Sequence, residues 1–495
     1  MHFLIQLFRH LLAPAANKFL QALSDPKTTQ KIVQQKIFNS FLSSEYGKSL
    51  DIQSLDDWYR IPIIDYDDLH NWLEQQDRNS FSLLTPEPIL FCERTSGSRG
   101  AAKLIPYTKS LRRSFNQMFC IWAHDLITRG PSFSTGKTYF CISPSLGETD
   151  KRESAGIADD SDYLDGWLKY LMRPFWVSLP GLNRIRNVEE FKEKLCLALL
   201  VEEKLEIISI WSPTFFKVHL DYIQCHRERL RRQLGNRISV KRAQFLLEPA
   251  IPWTKLWSNL KLISCWDSAH AKGQANILRS LFPGVLVQGK GLLATEAPMT
   301  IPLIEALGCV PVLNEVFFEF EDEEQNIYQL HEVEIGAIYA IIISQKGGLY
   351  RYRIGDRVRV THFYRNTPCL EFLGRDRATS DLVGEKLREE FVAEVLESLQ
   401  LEGSFCQTLI PVTQPKEHYL LLLDGANESP DAIAKRLDAA LMQSYHYRRS
   451  RHLGQLARAR VLVSKQFPET HLNSQIQGGK KWGDIKHQVL ATPKL

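Results

Sequence analysis

Strand-like and helix-like segments alternate along the first part of the chain, and this alternation is the feature that most constrains the fold. Short runs rich in β-branched and aromatic residues occupy residues 138–143, 206–211, 260–265 and 285–288. Helical stretches lie between them, such as residues 213–224 and 271–281. Strands joined by helices run parallel, because the helix carries the chain back to the same end of the sheet. The pattern therefore predicts an α/β fold with a mainly parallel sheet.

The pattern changes in the last third of the chain. Closely spaced strand-like runs with short breaks predict a β-meander at residues 336–344, 349–353, 357–363 and 369–373. A helix is predicted next at residues 385–399, with apolar residues four apart, followed by strands and one more helix. We predict a boundary near Gly374. A large N-terminal α/β domain with the meander covers residues 1–374, and a small mobile α+β domain covers residues 375–495.

Bulk composition excludes several classes of partner. The net charge of the 495 residues is +4, too mild to indicate nucleic-acid binding, and the basic run at 226–242 is typical of a solvated helix face. None of the nine cysteines forms a C-x-x-C pair, which predicts reduced thiols in a cytoplasmic protein. No stretch of about 20 apolar residues predicts a membrane span.

The N-terminal segment is predicted to be a helix packed on the body of the protein. Leu4, Phe8, Leu11 and Leu12 follow helical spacing and give the segment one apolar face. Arg9 and His10 interrupt the apolar run, which is untypical of a signal peptide. A membrane or export role is the alternative.

The loop TSGSRGAAK, residues 95–103, combines hydroxyls, glycines and a lysine. Glycines let backbone N–H groups approach an anion, while hydroxyls add donors and Lys103 adds a mobile positive charge. Two alanines separate Gly100 from Lys103, so the loop does not match the P-loop of NTPases. It predicts a polyphosphate site of another kind, with a purely structural Ser/Gly loop as the alternative.

Two carboxylates are further candidates for nucleotide chemistry. Asp356 follows Gly355 at the end of a predicted strand, where a carboxylate can accept hydrogen bonds from both ribose hydroxyls. Glu296 follows Thr295 in a turn after another predicted strand and offers the hard oxygen ligand that Mg²⁺ prefers. The alternatives are an exposed strand turn for Asp356 and a helix N-cap pair for Glu296.

Taken in order, these segments resemble the plant auxin-responsive acyl acid-amido synthetases and their bacterial relatives, which are adenylate-forming enzymes. The resemblance covers nearly the whole chain. It rests on the segments YGK at 46–48, IPIIDYDD at 61–68, TSGSRGAAKLIP at 95–106, LWSNLKLI at 256–263, ATE at 294–296, YRIGD at 352–356, FLGR at 372–375, GEK at 384–386 and GDIK at 483–486. Arg99 departs from the pattern, because the family usually has a small residue there.

The resemblance implies a role for each matching residue. The implied phosphate-contacting residues are Thr95, Ser96, Gly97, Ser98, Gly100 and Lys103. Thr295 and Glu296 match the nucleotide and metal motif, and Asp356 matches the ribose-binding aspartate. The remaining implied residues are Phe372 near the nucleotide, Arg375 and Lys386 at the hinge, and Lys486, which the mobile domain brings to the site.

The implied reaction is ligation of a small carboxylic acid to an amine. ATP and Mg²⁺ are the implied cofactors, and the acid is adenylated before its acyl group passes to an amine, expected to be an amino acid. Transfer to a thiol such as CoA, or a nucleotide-binding descendant without turnover, are the alternatives. Aromatic residues at 115–122 and 211–216 predict the acyl pocket, with core packing as the alternative.

Overall fold

The computed structural model describes residues 1–78, 83–94, 103–141, 166–177, 179, 181–182, 185, 187–375, 379–468 and 488–491. The chain begins with four helices. They are α1 (His2–Ala22), α2 (Pro26–Leu42), α3 (Glu45–Ser49) and α4 (Tyr66–Arg78), with a 3-10 turn at Leu55–Arg60 before α4. Asp25 caps α2 by accepting a hydrogen bond from the backbone N–H of Thr28.

Helix α1 packs on the body of the protein, as predicted, through a face that only partly matches the predicted one. The buried positions are Ile5, Phe8, Leu12, Ala16 and Phe19. Leu4 and Leu11, which were expected on the packed face, are exposed. Phe8 and Leu12 are buried as predicted, and the stripe continues at the same three- and four-residue spacing through Ile5 instead of Leu4. None of the helices in the described ranges has the length and apolar character needed to cross a membrane.

The phosphate-loop candidate is flanked by an antiparallel pair of strands. Strand β1 (Ile89–Arg94) pairs with β2 (Leu104–Thr108), and β2 leads directly into α5 (Lys109–Arg129). The hydroxyl of Thr108 caps α5 by accepting from the N–H of Leu111 at 3.2 Å. This pairing places Lys103 at the start of a buried strand.

The predicted parallel α/β sheet is confirmed. Strands β3 (Lys137–Phe140), β4 (Leu205–Ser209), β5 (Leu262–Cys265) and β6 (Leu286–Gly289) form it in that order, and every pair is parallel. The helices along this stretch are α6 (Gly166–Met172), α7 (Val188–Val201), α8 (Pro213–Leu234), α9 (Val240–Leu247), α10 (Trp253–Leu256) and α11 (Lys272–Leu281). All four residues of β5 are buried, as expected for a central parallel strand.

Small antiparallel elements follow the parallel sheet. They are β7 (Leu293–Ala294) paired with β8 (Ala297–Pro298), and β9 (Thr300–Leu303) paired with β10 (Gly308–Pro311). The meander then forms an antiparallel sheet of β11 (Phe317–Glu321), β12 (Ile327–Gln329), β13 (Ile338–Gln345), β14 (Leu349–Tyr364) and β15 (Thr367–Arg375), in the order β12-β11-β13-β14-β15. The prediction of two strands at 349–353 and 357–363 was wrong, because β14 runs through both and absorbs the irregularity as bulges.

The C-terminal part has its own apolar core. Its elements are β16 (Thr379–Ser380), β17 (Leu387–Arg388), α12 (Glu389–Ser398), β18 (Gln407–Val412), β19 (His418–Leu423), α13 (Pro430–Leu441), α14 (Tyr445–His452) and β20 (Arg460–Val463). The predicted helix at 385–399 begins later, at Glu389, because Leu387 belongs to a short strand. Strand β19 is central, antiparallel to β18 and parallel to β20. This mixture matches the expected α+β character.

Candidate active site

A bulge in β14 presents Asp356 to the end of β15. Gly355 has a φ of +84°, a conformation that glycine adopts without steric cost. The next residue, Asp356, is only 2% exposed and is the register partner of Arg375. The Nε of Arg375 donates to Oδ1 of Asp356 at 2.8 Å. Asp356 therefore lies inside a long strand and not at a strand end, and the bulge supplies the local turn that the sequence pattern indicated.

Glu296 lies beside this ion pair, in the turn between β7 and β8. Its side chain is buried, at 4% exposure, and burial raises its pKa above the ordinary value of 4.5. The nearby charges of Arg375 and Lys103 oppose that rise, while Asp356 adds to it. Asp356, followed by Glu296, raises the pKa of the Arg375 guanidinium in turn. These four charged residues therefore form one electrostatic cluster.

Two tyrosines hold Lys103 in the cluster. The Nζ of Lys103 donates to the hydroxyl of Tyr352 at 3.3 Å and lies 5.1 Å from the centroid of the Tyr66 ring. The hydroxyl of Tyr66 accepts from the backbone N–H of Leu104 at 2.9 Å. An ammonium close to two aromatic rings gains cation–π stabilisation. The aromatic positions within the segments 61–68 and 352–356 are the sequence signal from which these two tyrosines could have been found.

A buried ion pair between Arg351 and Glu319 lies next to Tyr352 on β14. Arg351 donates to both carboxylate oxygens of Glu319, at 2.9–3.2 Å, and both side chains are almost fully buried. Arg351 also donates to the backbone carbonyl of Ile61 at 2.8 Å, and Ile64 forms a β-bridge with Tyr352. The segment ahead of α4 is thereby joined to β14 next to the residue that contacts Lys103.

The other predicted residues differ in their placement. The backbone carbonyl of Thr295 accepts from the Tyr107 hydroxyl at 2.8 Å, and half-buried Phe372 pairs with Val358 on β14. Lys386 is exposed and takes no part in the ion pairs or hydrogen bonds that the described residues form around Glu296. The predicted residues outside the described ranges are Thr95, Ser96, Gly97, Ser98, Gly100 and Lys486.

The two aromatic segments predicted for the acyl pocket divide between cavity and core. Trp122 and Trp211 line an apolar cavity, together with Met118 and Phe119. The other aromatic residues of these segments that are fully buried in the core are Phe115, Phe215 and Phe216. Leu293 lines the same cavity and belongs to β7, whose following turn carries Glu296. The cavity therefore adjoins the hairpin of the charged cluster.

Comparison with known families assigns the chain. Residues 15–287 match the GH3 family N-terminal domain, residues 309–375 the GH3 family central domain, and residues 385–494 the GH3 family C-terminal domain. The chain belongs to the GH3 family. The resemblance to acyl acid-amido synthetases is thus confirmed by three consecutive matches that together span most of the sequence.

Curated relatives of this GH3 protein are amido synthetases with different acids in their names. A jasmonoyl–L-amino acid synthetase of Nicotiana attenuata is 22% identical over 85% of this chain and 82% of its own length. An indole-3-acetic acid-amido synthetase of Arabidopsis thaliana is 22% identical over 77% of this chain and 80% of its own length. Family membership therefore does not by itself specify the acid.

Solved structures show that the GH3 chain has the fold of adenylate-forming enzymes. An acyl acid amido synthetase in complex with 2,4-DB superposes with a TM-score of 0.82 at 17% identity, covering 98% of this chain and 94% of that one. A 2-hydroxyisobutyryl-CoA ligase in the postadenylation state superposes with a TM-score of 0.52 at 14% identity, covering 92% of each chain. The predicted fold class, an α/β body followed by a smaller C-terminal part, is confirmed.

Proposed function

We propose that this GH3 protein is an ATP-dependent amido synthetase for a small-molecule carboxylic acid. A carboxylate oxygen attacks the α-phosphorus of ATP, and pyrophosphate leaves. The nitrogen of an amine, preferably an amino acid, then attacks the carbonyl carbon of the acyl-adenylate and gives an amide, AMP and a proton. The observation that carries the proposal is the clustering of Lys103, Glu296, Asp356 and Arg375 beside an apolar cavity.

Each residue of the cluster has a proposed task. Asp356, held by Arg375, accepts hydrogen bonds from the ribose hydroxyls, and Phe372 lies on the same strand as Arg375 near the nucleotide. Lys103 supplies positive charge to the phosphates, since its ammonium lies at the Tyr352 hydroxyl and over the Tyr66 ring, beside the other charged residues of the cluster. Thr95, Ser96, Gly97, Ser98 and Gly100 supply phosphate donors.

The residues around Glu296 fit a magnesium ion. Mg²⁺ commonly takes one or two carboxylates and completes its shell with substrate phosphates and water. The described residues contain no cluster of three or more potential metal ligands, so a preformed all-protein site is not what they offer. Glu296, buried and next to the cluster, is the proposed ligand. When bound there, Mg²⁺ neutralises charge on the phosphate oxygens.

We also propose that residues 375–495 move as a unit relative to residues 1–374. Gly374 has a φ of +151°, in a region that favours glycine, and it directly precedes Arg375. Rotation about this point, with Lys386 near the hinge, would bring Lys486 to the phosphates in one half-reaction and expose the acyl-adenylate to the amine in the other. Closure would also shield the anhydride from water. We place the protein in the cytoplasm, where ATP and amino acids are available.

The decisive experiment separates the two half-reactions. ATP–pyrophosphate exchange is measured with a panel of aromatic, indolic and aliphatic acids. Each active acid is then incubated with ATP and with either the amino acids or CoA, and the products are identified by mass spectrometry. We expect exchange and an amide, and neither with Glu296→Gln. A thioester without any amide would contradict the amido synthetase assignment, and ATP binding without exchange would indicate a descendant that has lost turnover.

A further inference from the structure

The cavity beside the cluster has a polar floor formed by Ser209 on β4 and Ser264 on β5 of the parallel sheet. Ser209, Ser264 and Gln288 are register partners on β4, β5 and β6, and all three are buried. Register partners point to the same face of a sheet. The walls of the cavity are aromatic, with Trp122, Trp211 and others. Burying polar groups beneath apolar walls costs free energy unless each group has a hydrogen-bond partner.

Two hydrogen-bonding groups at this cavity have no partner among the described residues. They are the hydroxyl of Ser264, which is fully buried, and the indole Nε1 of Trp176. The polar residues on either side of Ser264 in the sheet do have partners, since Gln288 accepts from Trp122 Nε1 at 3.0 Å and Ser209 accepts from Lys290 at 2.8 Å. An indole N–H only donates, so its missing partner is an acceptor.

Lys290 brings a positive charge to the same floor. Its Nζ, hydrogen-bonded to Ser209, lies 4.8 Å from the centroid of the Trp211 ring and 5.9 Å from that of Trp122. The ammonium therefore lies close to both aromatic walls and to the hydroxyl of Ser209 at once. Three residues with donors of different kinds, Ser264, Trp176 and Lys290, therefore line a cavity whose other lining is mostly apolar. This is a recognition pattern for an oxygen acceptor.

We infer that the acyl substrate is an aromatic acid that carries a second oxygen, as a ring hydroxyl or ring carboxylate, at the end remote from the carboxylate that is adenylated. The inference rests on the proposed function. Leu293 lines the cavity and Glu296 follows it in the same hairpin, so an acid whose carboxylate lies near Glu296 extends its ring between Trp122 and Trp211. The remote oxygen then accepts from Ser264 and Lys290, which become determinants of specificity.

The test compares acids that differ by one oxygen-bearing group, a hydroxyl or a carboxylate, and it measures binding separately from chemistry. The pairs are benzoate against 4-hydroxybenzoate and terephthalate, and phenylacetate against 4-hydroxyphenylacetate. Binding to the full chain is measured by calorimetry, and adenylation by pyrophosphate exchange. We expect the oxygenated member of at least one pair to bind about tenfold more tightly than its parent. Ser264→Ala and Lys290→Met should each remove most of that preference while binding of the parent acid changes little.

Lys255→Met is the matched control, since Lys255 also lies over an aromatic ring, that of Phe245, but does not line the cavity. Lys255→Met should leave the preference for the oxygenated acid unchanged in every pair. Equal affinity for both members of every pair, no binding of any member, or equal losses for both members in Lys290→Met would overturn the inference. Selective binding without pyrophosphate exchange would instead contradict the proposed function and leave the recognition site standing.

Discussion

The Nε of Arg375 and Oδ1 of Asp356 are 2.8 Å apart across the end of the β14–β15 pairing, and this contact fixes a buried carboxylate in the proposed nucleotide site. Asp356→Asn should raise the KM for ATP about tenfold or more. The neutral amide of asparagine cannot form the charge-assisted hydrogen bonds that the Asp356 carboxylate accepts from the ribose hydroxyls and from Arg375. Pyrophosphate exchange at varied ATP concentration measures this. Glu321→Gln, which removes the partner of Arg353 on the same strand, is the control and should leave the KM unchanged.

Lys103 is expected to act on the first half-reaction. Lys103→Met should lower the rate of pyrophosphate exchange about 100-fold or more, because the positive charge at the developing phosphate charge is lost. Its effect on the melting temperature should be small, since the Lys103 side chain is only partly buried and the residue precedes the first residue of β2. Lys109→Met, at the exposed first turn of α5, is the control. An unchanged exchange rate in Lys103→Met would remove Lys103 from the proposed machinery.

Arg351 and Glu319 are expected to carry much of the local stability. Arg351→Met leaves the Glu319 carboxylate buried and unpaired, which should cost about 3–5 kcal/mol of unfolding free energy in urea titrations. The double variant with Glu319→Gln should recover part of that loss. Arg359→Met, which breaks an exposed pair with Glu371 in the same sheet, should cost about 0–1 kcal/mol. Equal losses from both arginines would show that burial of the pair is unimportant.

Glu206 gives the fold a defined pH dependence. Burial opposes ionisation of Glu206, but hydrogen bonds from Lys261 and the backbone N–H groups of Ser134, Gly136 and Thr135 outweigh it and hold the pKa below the ordinary 4.5. A depressed carboxyl pKa stabilises the folded state above the unfolded pKa, and that stabilisation is lost as the pH falls through the folded pKa.

Glu206→Gln should therefore lower the melting temperature at neutral pH, with a loss of about 1–3 kcal/mol. The difference from the parent protein should shrink as the pH falls below about 4. Thermal unfolding across this pH range measures both. Glu248→Gln, at an exposed position, should match the parent throughout. A gap for Glu206→Gln that stays constant down to acid pH would rule out the ionised carboxylate as its cause.

Lys486 tests the proposed closure of the C-terminal part. Lys486→Ala should lower the rate of pyrophosphate exchange about tenfold or more if this lysine reaches the phosphates. Lys480→Ala, in the same glycine- and lysine-rich segment, should have little effect. If the two variants exchange pyrophosphate equally well, Lys486 has no role in the reaction that Lys480 lacks. The closure proposal then loses its main support.

Local pattern was sufficient to predict much of the architecture. The strand–helix alternation predicted the parallel sheet to within a few residues, since β-branched runs and helical spacing are local signals. Local pattern was insufficient at β14. The break that it predicted around Gly355 is a bulge, and β14 continues through it because it pairs with a strand on each side. In the same way, apolar spacing predicted helix α1 and two of its buried residues, Phe8 and Leu12, but wrongly included the exposed Leu4 and Leu11.

The family, the order of the motifs and the types of residue that carry them could be read from the sequence alone, because these are properties of short segments. Only the tertiary structure decided that Lys103 meets Tyr352, 249 positions away, and that Glu296 shares a cluster with Asp356 and Arg375. It also decided that Ser264 and Lys290 face one cavity. Such contacts depend on how sheets pack and pair, and no local periodicity encodes them.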